Sequence, residues 1–248
     1  MLAVPSPKLS VIIPVYNEAA TLEEIIRRVR ATGRVDELLV VDDGSSDDSV
    51  AILSRLAEQG TPPLRILRHP RNQGKGAAMQ TGLAAATGDV VLVQDADLEY
   101  NPADYPALLA PFANDPRVDV VYGSRNLQRN PQSSFSFYWG GRFLSWVTNL
   151  LYGSRITDEA TGYKVIRTRL LREMELERSG FEFCSEVTAK LLRQGVRIHE
   201  VPISYRPRSR EEGKKIQWWD GIVAIQTLLK YRFSRAPKRA ESSSNATR

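Results

Sequence analysis

Apolar and polar residues alternate in blocks along this chain, and the period of the alternation switches at short intervals. Leu9-Ser10-Val11-Ile12-Ile13-Pro14 predicts a strand; Leu22, Ile25, Ile26 and Val29 then recur at helical spacing, with Thr21 and Glu24 as a capping box and Gly33 as the stop. The unit repeats. Glu37 to Val41 reads as a strand, Val50, Ile52, Leu53 and Leu56 as a helix face closed by Gly60, Leu64 to Leu67 as a strand, Gly74 to Ala86 as an Ala-rich helix and Val90 to Val93 as a buried strand. Such alternation predicts βαβ units, right-handed crossovers and a parallel sheet. A helix over Pro102 to Ala113 and a strand over Val118 to Tyr122 extend the series.

Past Arg125 the rhythm changes. Phe135 to Tyr152 predicts a helix with Trp139, Phe143, Trp146, Val147, Leu150 and Leu151 on one face and Arg142, Ser145, Thr148 and Asn149 off it. Gly162 to Arg167 predicts a strand, Cys184 to Gln194 a helix, Arg197 to Val201 a strand, and residues 217 to 233 a last helix carrying Trp218, Trp219, Ile222, Ile225 and Leu229. The expected fold class is α/β, a single mixed, mainly parallel sheet flanked by helices. The helices at 135–152 and 217–233 are amphipathic, and each either packs on the core or lies at a membrane interface.

Charge adds direction. The net charge is +5, and Arg206, Arg208, Arg210, Lys214, Lys215, Lys230, Arg232, Arg235, Lys238 and Arg239 crowd into the last fifth of the 248 residues, which suits an anionic partner. No nucleic-acid motif accompanies them, so nucleic acid is not expected. The lone Cys184 fits a reducing compartment and reads as a small buried residue. No secretory signal is evident, and no run approaches the roughly 18 apolar residues of a membrane span.

The chemistry sits where predicted strands stop. Asn17-Glu18, Asp42-Asp43 and Asp95-x-Asp97 would lie along one edge of a parallel sheet, where α/β folds bind ligands. Asp95 and Asp97, two apart in extended chain, would share a side, and two carboxylates so close call for a cation such as Mg²⁺ or Mn²⁺ shared with a phosphate. The simpler reading is that Asp97 or Asn101 caps the following helix. No P-loop or G-x-G-x-x-G cradle is present, so phosphate charge must be met by metal and basic side chains. His69 and His199 read as structural. Glu186 reads as either an acceptor-site or a structural polar group, and Arg206 to Lys215 as a basic loop over phosphate, hinged at Gly213.

Ser10-Val-Ile-Ile-Pro-Val-Tyr-Asn-Glu18, Val41-Asp-Asp-Gly-Ser-Ser-Asp47, Asn72-x-Gly-Lys-Gly76 and Gln94-Asp-Ala-Asp-Leu-Glu99 together resemble inverting glycosyltransferases of family 2 with the A-type nucleotide-sugar fold. Gly123-Ser-Arg125, Gly162-Tyr-Lys164, Gly180-Phe-Glu-Phe183 with Glu186, and Val201-Pro-Ile-Ser-Tyr205 followed by Arg210-x-x-Gly-Lys-Lys215 resemble the dolichyl- or polyprenyl-phosphate mannose synthase and polyprenyl-phosphate glucosyltransferase branch. The resemblance implies a catalytic domain over 8–235, with a nucleotide-sugar and metal half at 8–125 and an acceptor half at 126–235. A disordered lead (1–7) and a disordered basic tail (236–248) flank it.

By the same resemblance, Pro14, Tyr16, Glu18, Asp43, Lys75, Asp95 and Ala96 hold the nucleotide sugar. Asp95, Asp97 and Glu99 hold Mg²⁺ or Mn²⁺, Glu99 standing where mannose synthases often have glutamine. Arg125, Arg142, Arg210 and Lys215 meet the acceptor phosphate, and Asp97, Arg125 and Lys215 carry catalysis. The chain departs from the mannose synthases at Thr157-Asp-Glu-Ala-Thr-Gly162, which leaves the sugar open. The implied reaction is metal-dependent inverting transfer of mannose from GDP-mannose, or glucose from UDP-glucose, to a polyprenyl or dolichyl phosphate on the cytoplasmic membrane face. The protein would be peripheral there, with room for a separate membrane-anchoring partner. A phosphate acceptor is already largely anionic and needs no base; a glycan hydroxyl would need one, for which Asp158 and Glu159 are the candidates. A basic peripheral protein binding lipid or nucleic acid without catalysis is the third reading, and it leaves the acidic strand ends unexplained.

Overall fold

The computed structural model describes residues 6–131, 135–208 and 218–234. Its elements run β1 (Leu9–Val15), α1 (Ala19–Ala31), β2 (Glu37–Asp42), α2 (Ser49–Ala57), β3 (Leu64–Arg68), α3 (Lys75–Ala85), β4 (Val90–Val93), a 3-10 turn (Pro102–Asp104), α4 (Tyr105–Asn114) and β5 (Val120–Ser124). There follow α5 (Phe135–Tyr152), β6 (Lys164–Arg167), α6 (Thr168–Glu173), α7 (Phe183–Arg193), β7 (Ile198–Pro202) and α8 (Trp218–Phe233). The short α6 carries no periodicity long enough to predict.

One seven-stranded sheet in the order β3-β2-β1-β4-β6-β5-β7 organises the chain. β3, β2, β1 and β4 are mutually parallel, β6 runs antiparallel to both β4 and β5, and β7 is parallel to β5. The sheet is therefore mixed and mainly parallel, as the sequence predicts. Strand side chains alternate between its faces: Val11 and Ile13 pack with α1 and α4 residues, whereas Ile12, Leu39 and Val91 pack with α3 and α7 residues. Both faces are covered, which is why these strands read as nearly continuous apolar runs.

Three local expectations are corrected. The capping box does not form: α1 starts at Ala19, Thr21 bonds back to the Glu18 carbonyl at 3.3 Å, and Glu24 pairs with Arg27 and Arg28 on the surface. The turn that ends β1 at Asn17 (φ 52°) starts the helix earlier than its apolar face does. Asp95 and Asp97 are not in extended chain, because β4 stops at Val93 and the segment turns, with Leu98 at φ 61°. Asn101, for its part, does cap the next element, its side chain accepting from the Ala103 amide.

The third correction concerns α5. Trp139, Phe143, Trp146 and Leu150 are 53%, 54%, 58% and 69% exposed, whereas Ser145 and Thr148 are buried. The apolar face points outward, so its reading as sheet-packed core is overturned. The polar face can be buried because Ser145 and Thr148 donate to the carbonyls of Gly141 and Leu144 four residues back, at 3.0 and 2.9 Å. α8 follows suit: Trp218, Trp219, Ile222, Leu229 and Phe233 are exposed, and Ala224, Thr227, Leu228 and Tyr231 face inward. Tyr152 to the Leu228 carbonyl and Arg232 to the Leu151 carbonyl, both 2.7 Å, tie the two helices together. No described helix is long and apolar enough to cross a membrane.

Glu186 anchors this layer. It is fully buried and accepts from the amides of Glu177 and Arg178, from Lys190 at 2.7 Å and from the Tyr231 hydroxyl at 2.7 Å. Burial opposes ionisation of its carboxyl, but those bonds win and hold it below the usual range. A depressed folded-state value gives stability that is complete above the unfolded value of about 4.3 and is lost as pH falls through the folded one. Glu186→Gln should therefore flatten the acid limb of a melting-temperature profile, while Glu186→Ala should cost about 3–5 kcal/mol at neutral pH by urea titration.

Candidate functional site

Parallel pairing of β2, β1 and β4 brings three acidic strand ends to one sheet edge. The loops after β1 and β2 are laced together. Asn17 accepts from the Ser46 amide at 2.8 Å, and the Asn17 and Glu18 amides donate to the hydroxyls of Ser45 and Ser49 at 3.0 and 3.1 Å. Pro14 lies beyond the stretch of β1 that pairs with β4, which ends at Ile12. Tyr16 follows it, exposed at the rim.

Asp43 faces inward. Its carboxylate accepts from the amides of Gln73 and Gly74 at 2.9 and 2.8 Å and meets His69 Nδ1 at 2.6 Å; His69 Nε2 in turn meets the Thr81 hydroxyl at 2.8 Å. Asp43 thus fixes the loop that presents Lys75, and His69 is structural. Gly74 (φ 97°) and Gly76 let this loop pass against the 178–179 backbone, whose Ser179 carbonyl accepts from the amides of Gly76 and Ala77. The α3 N-terminus is therefore capped by protein.

At the end of β4, each aspartate has acquired a cation. Lys75 Nζ contacts Asp95, and the Arg208 guanidinium spans Asp97 at 3.1 Å and Glu18 at 3.2 Å. Gln94, fully buried, donates to the Asp95 carbonyl and accepts the hydroxyls of Tyr105 and Tyr163, which fixes the turn; Ala96 is buried within it. Glu99 has both carboxylate oxygens in use, one on the Tyr205 hydroxyl at 2.7 Å and one on the Arg208 amide at 2.8 Å. Burial first, then the carboxylates of Asp95 and Glu99, push Asp97 up to about 7, with Arg208 opposing. Among the described residues no three acidic, His or Cys side chains form a ready metal cage. The hard oxygen donors Asp95 and Asp97, already balanced by cations, fit a divalent ion that completes its shell on a phosphate.

Across the edge lies a cavity of about 410 Å³ lined by Arg125, Arg129, Arg142, Asn130, Tyr138 and Tyr205, among others. Arg125 is held bidentately by buried Asp158 (2.7 Å twice) and lies over the Tyr205 ring at 5.0 Å. Glu200 on β7 accepts from the amides of Thr157 and Asp158, which sets Asp158 in place. Arg142 leans on Tyr138, with its guanidinium 5.7 Å from the ring centre. Asn130 accepts from the Tyr205 amide and donates to the Arg125 carbonyl. Tyr205 thereby joins the cavity to the acid cluster, ring on one side and hydroxyl on the other.

The structure brings Glu18, Lys75, Asp95, Asp97 and Glu99 together, and Arg125 with Arg142. Arg210 and Lys215 lie outside the described residues. Asp158 is spent on Arg125, and Glu159 is fully buried away from the cavity, its carboxyl raised by that burial. Sequence reading gave Arg129, Asn130 and Glu200 no role at the site, and it had Gln94 only as part of a motif. It had Arg208 and Tyr205 in hand only as parts of a basic loop and a motif.

The glycosyl transferase family 2 model matches residues 10–174. This chain belongs to that family. It is 31% identical over 215 residues to the undecaprenyl-phosphate 4-deoxy-4-formamido-L-arabinose transferase of Klebsiella pneumoniae, covering 85% of this chain and 63% of the relative. To the dolichol-phosphate mannosyltransferase of Pyrococcus furiosus it is 31% identical over 216 residues, covering 84% and 59%. The chain thus spans less than two thirds of these relatives. Glucosyl-3-phosphoglycerate synthase from Mycobacterium tuberculosis, solved with Mg²⁺ and uridine diphosphate, superposes with a TM-score of 0.68 at 24% identity over 91% of this chain and 79% of that one. That likeness shows the A-type fold.

Because a Cβ on Gly76 would stand 2.3 Å from the Arg178 carbonyl oxygen, Gly76→Ala must push two backbones apart. It should cost about 1–3 kcal/mol, a melting-temperature drop of about 3–10 °C in calorimetry, and should displace Lys75. Gly140→Ala in α5, with no neighbour within 4 Å of the new carbon, should leave the melting temperature level or slightly raised.

Proposed function

We propose that this chain transfers a hexose from a nucleotide sugar, GDP-mannose or UDP-glucose, to a polyprenyl phosphate at the cytoplasmic membrane surface, with inversion and with Mg²⁺ or Mn²⁺ as cofactor. The observation that carries this reading is the cavity with Arg125, Arg129 and Arg142 in its lining, joined through Tyr205 to the acidic strand ends. Three guanidiniums around one cavity suit a phosphate, and α5, whose Arg142 lines it, exposes its aromatic stripe to the side from which a lipid tail would enter. The names of the two relatives, both polyprenyl-phosphate sugar transferases, agree with such an acceptor.

In this reading Pro14, Tyr16, Glu18, Lys75 and Ala96 border the donor, Asp43 holds the loop behind it, and Asp95 and Asp97 hold the ion. A bound divalent cation neutralises the departing diphosphate. The chain's own work is placement. Arg125, locked by Asp158, fixes the acceptor phosphate, which attacks without a base because it is already anionic. Against the hydroxyl-acceptor alternative, both Asp158 oxygens are on Arg125 and Glu159 is fully buried. Exposed tryptophans on α5 and α8, the helices that also carry Arg142, Lys230 and Arg232, suit a headgroup layer, and basic side chains there contribute roughly 1 kcal/mol each on acidic lipid.

A donor panel with polyprenyl phosphate and Mn²⁺, scored by extraction of glycolipid, should give product with one of the two nucleotide sugars; no product with any donor would sink the proposal. Arg125→Lys, which keeps charge but loses the fork, should raise the KM for lipid about tenfold or more. Asp158→Asn should weaken acceptor binding yet retain turnover, whereas total loss would restore the base. Cosedimentation with acidic liposomes should fall with salt and with the Trp146→Ala, Trp218→Ala double substitution; indifference to both would remove the membrane from the picture.

A further inference from the structure

Arg125 and Arg208 both hold carboxylates near the strand ends, and they hold them differently. Arg125 grips Asp158 through two 2.7 Å bonds from one planar fork. Among the described residues Arg208 spans the two oxygens of Glu18 at 3.2 and 3.5 Å and one oxygen of Asp97 at 3.1 Å, so its bonds are longer and shared between two acids. The first is a fixed bidentate pair and the second is a looser electrostatic bridge.

Arg208 also sits at the end of a strap. From Ile203 to Arg208 the chain is fastened almost wholly to the acid cluster and its borders. Ser204 bonds Asp104, the Tyr205 hydroxyl and the Arg208 amide take the two oxygens of Glu99, and the Arg206 amide donates to the Glu99 carbonyl at 2.9 Å. Asp97, Glu18 and Glu99, drawn from two strand ends, are thus held by one peptide segment. Lys75 meanwhile draws Asp95 to the other side. The acids share one edge, but two cations hold them from two sides, and no ready cage exists among the described residues.

The geometry points to Arg208 as a resident counter-ion of the acid cluster that a divalent cation must displace from Asp97. This rests on the reading that Asp95 and Asp97 bind the metal. A metal ion and a guanidinium cannot both sit against one half-buried carboxylate without strong repulsion, so one leaves. The exchange is unfavourable for the metal alone, since Glu18 would lose the Arg208 guanidinium and, as the strap moves, Glu99 the Arg208 amide. A nucleoside diphosphate alters the balance, because its negative charge offers the displaced guanidinium a new place. Metal and nucleotide therefore bind together or weakly. Glu99, released by the same movement, becomes free to join the ion. Tyr205 carries the change onward, since its hydroxyl leaves Glu99 while its ring lies under Arg125 and its amide is on Asn130. Donor loading would thus reshape the arginine cavity before acceptor arrives.

The test reads Mn²⁺ binding to the full chain by the electron paramagnetic resonance of free Mn²⁺, first without nucleotide and then with UDP or GDP. Arg208→Gln should bind Mn²⁺ without nucleotide at least tenfold more tightly than the wild type, and Arg208→Lys should remain near the wild type. Tyr205→Phe, which loosens the strap without touching Asp97, should tighten binding several-fold, and it serves if Arg208→Gln does not fold. Unchanged or weaker Mn²⁺ affinity in Arg208→Gln and Tyr205→Phe, with Asp97→Asn still abolishing binding, overturns the exchange and leaves the metal site standing. Binding indifferent to Asp97→Asn in both backgrounds overturns the metal site and the exchange with it.

Discussion

Crowding of negative charge at the end of β4 is the constraint around which this molecule is arranged. Four carboxylates, Glu18, Asp95, Asp97 and Glu99, converge because the adjacent parallel strands β1 and β4 stop at one edge. Each close pair at partial burial costs on the order of a few kcal/mol unless countercharge is supplied. The chain supplies it from two remote places, Lys75 at the start of α3 and Arg208 beyond β7. Much of the second half can be understood as scaffolding for that delivery: antiparallel β6 inserts between β4 and β5, β7 pairs beside β5, and the exit from β7 then runs back across the acids.

The same economy of charge explains the arginine cavity. Arg125 would be a mobile cation without Asp158, and Asp158 would wander without Glu200. Each member of the series is buried or half-buried and has its bonds met by the next. Preorganised charge of this kind suits the proposed transfer to a phosphate, because it need not reorient when charge moves.

The parallel half was legible because its signals are local. Apolar runs, helical spacing and terminal glycines mark each element within a dozen residues, and the strand ends carry their acids in sequence. The outward turn of α5 was not legible: periodicity shows that a helix has two faces but not which one is buried, and here back-bonded Ser145 and Thr148 are what make the polar side packable. The partners of Asp97, Glu99 and Arg125 were equally hidden, since Arg208, Tyr205 and Asp158 lie 33 to 111 residues away along the chain and no short-range pattern encodes such pairing. Family resemblance supplied residue types but not their alliances; that Asp43, read as a nucleotide contact, also holds the loop presenting Lys75 was visible only in the fold.

One consequence of the reversed α5 reaches beyond the fold. A helix whose inner face is tied down, Ser145 accepting from the Glu159 amide, Asn149 donating to the Ile156 carbonyl and Tyr152 to the Leu228 carbonyl, cannot roll over to hide its tryptophans without breaking those bonds. The aromatic surface of α5 and α8 is therefore a permanent feature in water, not a state induced by lipid. In a purely aqueous preparation that surface will seek itself on neighbouring copies, and the particle size of the protein becomes a property of the solvent: small where detergent or bilayer covers the rings, growing with concentration where neither is present.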